Sequence, residues 1–148
     1  MTGLALCVML QVVGAGGNAA PAIPVSYEQA YRESQENGRP LVVLVGADWC
    51  PGCQTMKGSV MARMLRSGKL NRVNYAVVNT DRERELASKL MRGGSIPQLI
   101  VFAKGGKETW VRDQITGATG EDSVAAMIEK AAASTASKGA TTTETAKQ

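Results

Sequence analysis

The run Leu41-Val42-Val43-Leu44-Val45 constrains the fold most strongly, because five consecutive apolar residues leave no polar face. Pro40 and Gly46 bound the run, and an apolar, β-branched segment of this length is typical of a strand buried on both faces. Helices are therefore expected on both sides of the sheet that contains it. The chain has 148 residues, which fits a single domain. The run is accordingly predicted to lie inside one α/β domain.

The rest of the sequence alternates helical and strand patterns in the order α-β-α-β-α-β-β-α. Ser26 and Gln29 form a capping box that begins the first helix, and Gly38-Arg39-Pro40 ends it. The remaining helices are predicted over 51–65, 84–91 and 124–131, and the remaining strands over 73–78, 98–102 and 109–111. Strands joined through helices predict parallel pairing, whereas Lys104-Gly105-Gly106-Lys107 predicts an antiparallel hairpin.

The two ends of the chain are expected to lie outside the domain, which is predicted over 26–131. Residues 1–22 contain an apolar stretch followed by small residues, which is the pattern of a signal peptide or an N-terminal anchor. A buried N-terminal helix is the alternative. Residues 133–148 have no large apolar side chain to bury, so they are predicted to form a disordered tail.

Composition excludes several classes of function. The chain has no histidine, which excludes Cys–His and Ser–His–Asp catalysis and every metal site that needs histidine. The net charge is only +4 and the basic residues are interspersed with acidic ones, which indicates a solvated surface rather than a nucleic-acid interface. Aromatic residues make up only 4%, so methionines at helical spacing, Met56, Met61 and Met64, are interpreted as core residues rather than metal ligands.

The pentapeptide Trp49-Cys50-Pro51-Gly52-Cys53 contains the chemically reactive residues. If a helix begins at Cys50, the Cα atoms of the two cysteines lie about 5 Å apart, a distance that a disulfide can bridge. So short a loop constrains the unfolded chain little, which favours a labile, functional disulfide over a structural one. Half of a zinc site is the alternative interpretation. The remaining cysteine, Cys7, lies in the predicted signal segment and leaves zinc without further cysteine or histidine ligands in the domain.

Cys50 is predicted to be the nucleophile, because a helix N-terminus stabilises a thiolate through free N–H groups and the helix dipole. Pro51 suits the first helical position but removes one N–H donor. Asp48 is expected to oppose thiolate formation slightly, and Lys57 to favour it. Cys53, one turn into the helix, is expected to be more buried and to act as the resolving thiol.

These segments together resemble the active site of the thioredoxin-like family. The apolar strand, Ala47-Asp48-Trp49-Cys50-Pro51-Gly52-Cys53 and the following helix match its redox site. Gly94-Ser95-Ile96-Pro97-Gln98 resembles the family's segment in which a cis peptide bond faces the redox pair, and Thr116-Gly117-Ala118 resembles its Gly-Ala segment near the site. The resemblance covers roughly residues 26–131 and is greatest to secreted bacterial members with a leading helix.

The resemblance implies a thioredoxin-like fold with a central mixed sheet of about four strands, flanked by helices and preceded by an extra helix. It implies a monomeric thiol–disulfide oxidoreductase that needs no cofactor and acts on protein disulfides. Together with the predicted signal peptide, it places the protein in an extracytoplasmic compartment, where a membrane-bound thiol reductase supplies electrons. The site residues that it implies are catalytic Cys50 and Cys53, supported by Trp49 (with a partly exposed ring), Pro51, Gly52, Ile96, Pro97 and Gly117.

The sequence also departs from the family pattern at the site. Leu44 replaces the family's buried aspartate, and Val77 corresponds to its lysine partner, so the buried proton acceptor for Cys53 is missing. Pro51-Gly52 reverses the usual order of the two intervening residues, which leaves the reduction potential open. Two other functions stay open: a protein-binding module of the same fold, and thiol-based transfer of copper(I).

Overall fold

A computed structural model describes residues 24–105 and 109–136, and the elements below lie within them. The helices are α1 (Tyr27–Asn37), α2 (Pro51–Thr55), α3 (Ala62–Arg66), α4 (Arg84–Leu90) and α5 (Glu121–Ala136). A π-helical segment, Met56–Met61, joins α2 to α3. The strands are β1 (Leu41–Gly46), β2 (Asn74–Asn79), β3 (Gln98–Lys104) and β4 (Trp110–Thr116). None of the helices described here is long and apolar enough to cross a membrane.

The four strands form one mixed sheet in the order β2-β1-β3-β4. β1 lies in its interior, parallel to β2 and antiparallel to β3, and β4 pairs antiparallel with β3. All six residues of β1 are buried, as the uninterrupted apolar run predicts. The mixed sheet, the flanking helices and the leading helix α1 confirm the predicted fold class.

The direction of β3 corrects one expectation. Parallel pairing through a helix is confirmed for β1 and β2 but is wrong for β3, which runs antiparallel to both. α4 has only seven residues and spans about 10 Å, whereas a six-residue strand is about 20 Å long. The helix does not return the chain to the far end of the sheet, so β3 begins at the end where β2 finishes.

Helices cover both faces of the sheet and create two apolar layers. α1 and α4 cover one face, where the buried residues include Ala30, Leu41, Val43, Val45, Ala87, Leu90 and Ile100. The helical segments from α2 to α3, together with α5, cover the other, where they include Val42, Leu44, Met56, Met61, Met64, Leu99, Val101, Met127 and Ile128. The methionines predicted to be core residues are therefore confirmed as such.

The helical stretch 51–66 differs from the regular helix predicted there. Its central residues, Met56–Met61, form a π-helical segment, in which hydrogen bonds between residues five apart widen the turn. Met56 and Met61 are both fully buried. The widened turn lets residues five positions apart share the buried face, a spacing that regular helical periodicity does not anticipate.

The C-terminal helix is longer than predicted. α5 runs over Glu121–Ala136 rather than 124–131, so residues 133–136, predicted to belong to the tail, are helical. The hydroxyls of Ser134 and Thr135 donate to the carbonyls of Lys130 and Ala132 and hold this last turn. The rest of the predicted tail, the predicted signal segment 1–22, and Gly106 and Lys107 of the predicted hairpin turn lie outside the described residues.

Candidate redox site

Cys50 and Cys53 lie where β1 gives way to α2. Cys50 is the N-cap of α2, with extended backbone angles, and its Sγ accepts a hydrogen bond from the Cys53 N–H at 3.2 Å. Their Cα atoms are 5.2 Å apart and a disulfide joins them. The spacing predicted from helix geometry is thereby confirmed. The N-terminal position gives the Cys50 sulfur a backbone donor, which favours its thiolate when the disulfide is reduced.

The predicted difference in burial between the two cysteines is wrong. Cys50 is 6% exposed and Cys53 is 5% exposed. Ala47 and Ile96 pack against the pair, and the Sγ of Cys50 lies 3.9 Å from the carbonyl oxygen of Ile96. The segment before Pro97 therefore covers the first cysteine as closely as the helix covers the second.

The predicted supporting residues Gly52, Ile96, Pro97 and Gly117 come together around Cys50. The Ile96–Pro97 peptide bond is cis, as the resemblance implies. A Cβ atom on Gly52 would lie 3.2 Å from the Cδ of Pro97, so glycine permits this close approach. The Gly117 N–H donates to the Pro97 carbonyl at 2.8 Å, and Gly117 has a φ of +96° that favours glycine. The backbone at Gly117 thus holds the cis-proline segment in place beside the cysteines.

Trp49 extends from the site towards solvent. Its side chain is 68% exposed, which confirms the expected exposure, and its Nε1–H donates to Asp81 at 2.9 Å. Its neighbour Asp48 pairs with Arg82 at 2.9 Å, and this cation offsets the charge that was expected to oppose a Cys50 thiolate. Sequence analysis missed Asp81 and Arg82, because their role depends on the distance between two strand ends rather than on a local pattern.

Two cavities lie beside the redox site, and Cys53 lines one of them. One, of about 500 Å³, is lined by Trp49, Arg84, Met91, Gly94 and Ile96 and lies on the Cys50 side. The other, of about 600 Å³, lies behind Cys53, and its lining includes Leu44, Gly46, Lys57, Val77 and Arg82. The first borders the cis-proline segment, and the second borders Cys53.

Leu44 and Val77 lie side by side in the register of β1 and β2. Both contribute apolar side chains to the wall behind Cys53, at the positions where the family has a buried charge pair. Lys57 lines the same cavity. Asp48 and Glu83 line it as well, and none of these three charged residues is buried. Cys53 therefore adjoins an apolar wall and a cavity lined by a lysine and two carboxylates that are at least partly exposed, rather than a buried carboxylate.

Within residues 24–105 and 109–136, no group of three or more histidine, cysteine, aspartate or glutamate residues is placed to hold a metal ion.

Gln98 is a polar residue of the site region to which sequence analysis assigned no role. Gln98 is fully buried. The sequence signal that could have identified it is a glutamine at the start of an otherwise apolar strand.

Replacing Gly46 by alanine is expected to lower the free energy of unfolding by about 1–3 kcal/mol. The new Cβ would lie 2.8 Å from the Sγ of Cys53 and 3.0 Å from its Cβ, so the cysteine must shift. Gly58→Ala is the matched control, because its Cβ meets nothing within 4 Å and alanine favours helix by about 0.5–1 kcal/mol. Urea denaturation checks both, and equal effects of the two substitutions would contradict the close contact.

A C-x-x-C pair at a helix N-terminus, facing a cis-proline on a mixed sheet, defines a protein with a dithiol site that can form a disulfide. The chain belongs to the thioredoxin-like family, whose sequence profile matches residues 22–104. It is 29% identical over 100 residues to the thiol:disulfide interchange protein TxlA of Synechococcus elongatus, covering 66% of this chain and 51% of that protein. The chain therefore spans about half the length of this curated relative.

Solved structures show the same fold. A thioredoxin from Thermus thermophilus superposes with a TM-score of 0.64 at 19% identity, covering 86% of this chain and 100% of that one. A thioredoxin from Trichomonas vaginalis gives a TM-score of 0.55 at 25% identity, covering 73% and 93%. These similarities agree with the architecture described above.

Proposed function

We propose that this protein reduces disulfide bonds in protein substrates and works in an extracytoplasmic compartment, where a membrane-bound thiol reductase restores its dithiol. The observation that carries the proposal is the placement of Cys50: at a helix N-terminus, within bridging distance of Cys53 and against the backbone of Ile96. Homology to a thiol:disulfide interchange protein supports the same chemistry.

The reaction proceeds in two exchanges. The Cys50 thiolate attacks one sulfur of the substrate disulfide, a Cys50–substrate bond forms, and the other substrate sulfur leaves as a thiolate that takes up a proton. Cys53 loses its proton and attacks the Cys50 sulfur. The Cys50–Cys53 disulfide forms and the second substrate sulfur leaves. The substrate gains two electrons and the protein dithiol is oxidised by two. The Cys53 N–H, 3.2 Å from the Cys50 sulfur, favours the thiolate that begins the sequence.

A backbone edge beside Cys50 supports extended protein segments as substrates. The N–H of Ile96 has no hydrogen-bond partner in the part of the chain that the structure describes. An extended segment that pairs with this edge satisfies that donor and brings its disulfide towards Cys50. The adjoining cavity and the exposed Trp49 ring offer apolar contacts to the same segment.

The compartment, the electron donor and the monomeric state are part of the proposal. They rest on the signal-like pattern of residues 1–22 and on the resemblance to secreted members of the family. A strongly negative reduction potential of the cysteine pair, near about −270 mV as in thioredoxin, supports a reductase, whereas a value near about −120 mV supports an oxidase.

Trapping with Cys53→Ser tests the function. Without the resolving thiol, Cys50 is expected to remain joined to its partner, so adducts appear on non-reducing gels and disappear with reductant. The matched control is the double variant Cys50→Ser/Cys53→Ser, which forms none. The proposal is wrong if Cys53→Ser yields no adduct and the wild-type protein does not reduce insulin.

The apolar pair Leu44–Val77 favours a second candidate, a protein-binding module of this fold in which the cysteines are incidental. The pair leaves Cys53 without the buried proton acceptor of the family. This candidate requires that Cys50→Ser leave partner binding unchanged, whereas an oxidoreductase loses its covalent partners with the same substitution.

A further inference from the structure

We infer that Gln98 is a positioning residue, which holds the segment Arg92–Ile96 so that the backbone before Pro97 faces Cys50. The inference rests on the proposed function, because the segment matters as the edge that receives the substrate. Gln98 is the first residue of β3 and directly follows the cis-proline. Its side chain lies on the sheet face shared by Ile100, two residues on, where α4 packs.

The side chain of Gln98 is fully buried, so its polar atoms need partners within the protein. Its Oε1 accepts from the Arg92 N–H at 3.1 Å and from the Gln114 side chain at 2.9 Å. Its Nε2 donates to the carbonyls of Arg92 at 3.0 Å and Ser95 at 2.8 Å, and lies 3.5 Å from that of Gly93. A primary amide has two donors and two acceptor sites, and these contacts occupy all four.

These bonds are the polar anchors of the segment. Among the residues described, every hydrogen bond of the backbone from 92 to 95 is made with Gln98. Met91 caps the C-terminus of α4, and Arg92, the next residue, begins the segment. Gly93 and Gly94 make the backbone of the segment flexible. Without the amide, the Arg92 N–H and the carbonyls of Arg92 and Ser95 lose their partner within the protein, and the segment loses its tie to the sheet.

The same contacts indicate that Gln98 positions the segment and does not itself contact the substrate. Because the amide is saturated by Arg92, Ser95 and Gln114, it has no donor or acceptor left for a substrate. It engages the segment as far as Ser95 and leaves the N–H of Ile96 unbonded in the described part of the chain. The neighbouring Ile96 carbonyl lies 3.9 Å from the Cys50 sulfur. Gln98 thus fixes the residues around the receiving edge without occupying the edge itself.

Gln98→Met is the direct test, since methionine fills a similar volume and makes none of these hydrogen bonds. Steady-state reduction of insulin by the full chain, with dithiothreitol as the electron source, is expected to show kcat/KM lowered about tenfold or more, mainly through a higher KM. Alkylation of Cys50 by iodoacetamide in the reduced protein needs no receiving edge. Because the segment covers Cys50, the rate of this alkylation is expected to stay at or above that of the wild type, whereas a damaged thiol site would lower it.

Asn74→Leu is the matched control. Asn74 is also buried, and its side chain bonds to Asn37 and to the Arg39 carbonyl at the opposite end of the sheet. Its loss is expected to lower stability while leaving kcat/KM for insulin within about twofold. A merely structural role of Gln98 predicts that the two variants behave alike.

Gln98→Glu decides the matter if the methionine variant does not fold. A carboxylate retains the bonds from Arg92 N–H and Gln114 but cannot donate to Arg92 O or Ser95 O, so a raised KM for insulin is expected here too. An unchanged KM in the folded variant, with active wild-type protein, overturns the role of Gln98 and leaves the proposed function intact. Wild-type protein that neither reduces insulin nor forms adducts as Cys53→Ser overturns the proposed function, and the role of Gln98 falls with it.

Discussion

Replacing Cys50 by serine is expected to lower insulin reduction by about 10³-fold or more, to the uncatalysed background. A serine hydroxyl is not ionised at neutral pH and does not attack a disulfide, whereas the N-terminal position of Cys50 and the N–H of Cys53 at 3.2 Å favour a thiolate. The turbidity of insulin chains released in the presence of dithiothreitol measures the loss.

The double variant Cys50→Ser/Cys53→Ser is the control for this loss. Because both cysteines belong to one reaction sequence, the double variant is expected to be no less active than Cys50→Ser alone. Substitution of Trp49 by phenylalanine, which removes the hydrogen bond to Asp81 but leaves both thiols, is expected to retain measurable activity. Residual insulin reduction by Cys50→Ser at more than about a tenth of the wild-type rate would place the reactive thiol elsewhere.

The parts of the fold and site that sequence predicts are those set by neighbouring residues. The apolar run at 41–45 identifies β1 because burial on both faces leaves no place for polar side chains. The three-residue spacing of Cys50 and Cys53 predicts the 5.2 Å separation of their Cα atoms, because helix geometry fixes it. The exposure of Trp49 and the cis bond at Pro97 agree with the resemblance rather than with any local rule.

The parts that sequence does not predict depend on residues far apart in the chain. The direction of β3 follows from the short length of α4, and apolar periodicity does not show which end of the sheet the chain reaches. The apolar residues around the π-helical segment recur in the sequence at the three- and four-residue spacings of an ordinary helix, so the sequence does not reveal the wider turn that buries both Met56 and Met61. Gln98 is tied to Arg92 and Gln114 only after β3, β4 and the α4–β3 connection have assembled. The equal burial of Cys50 and Cys53 likewise depends on Ile96, which is distant in the sequence and packs against both cysteines together with Ala47.

The apolar wall behind Cys53 affects the stability of this protein differently from the buried charge pair that the family has at the same positions. Leu44 is only 2% exposed, lies opposite Val77 in the parallel register, and contributes to the core beneath the helical segments. A charge pair at these positions must be removed from water, and its mutual attraction often does not offset that cost. The apolar pair avoids the cost, and Cys53 borders a cavity of about 600 Å³ in place of a buried charge pair.

Leu44→Asp is accordingly expected to lower the free energy of unfolding by about 3–5 kcal/mol. The substitution removes packed apolar atoms and places a carboxyl group in the core, where burial raises its pKa. A domain of this size is stable by about 5–15 kcal/mol, so the loss is a large part of the total. Urea denaturation at neutral pH measures it, and Leu44→Met, which conserves volume, is expected to cost less than about 1.5 kcal/mol.

Adding Val77→Lys to Leu44→Asp tests whether the two positions act as a pair. Their side chains lie next to each other on the same sheet face, so opposite charges there are expected to couple by about 1–3 kcal/mol. The double variant is then less destabilised than the sum of the two single variants, although it stays below the wild type because both charges remain largely desolvated. Strict additivity would show that the two side chains do not meet, and a loss below about 1 kcal/mol for Leu44→Asp alone would show that water reaches this wall.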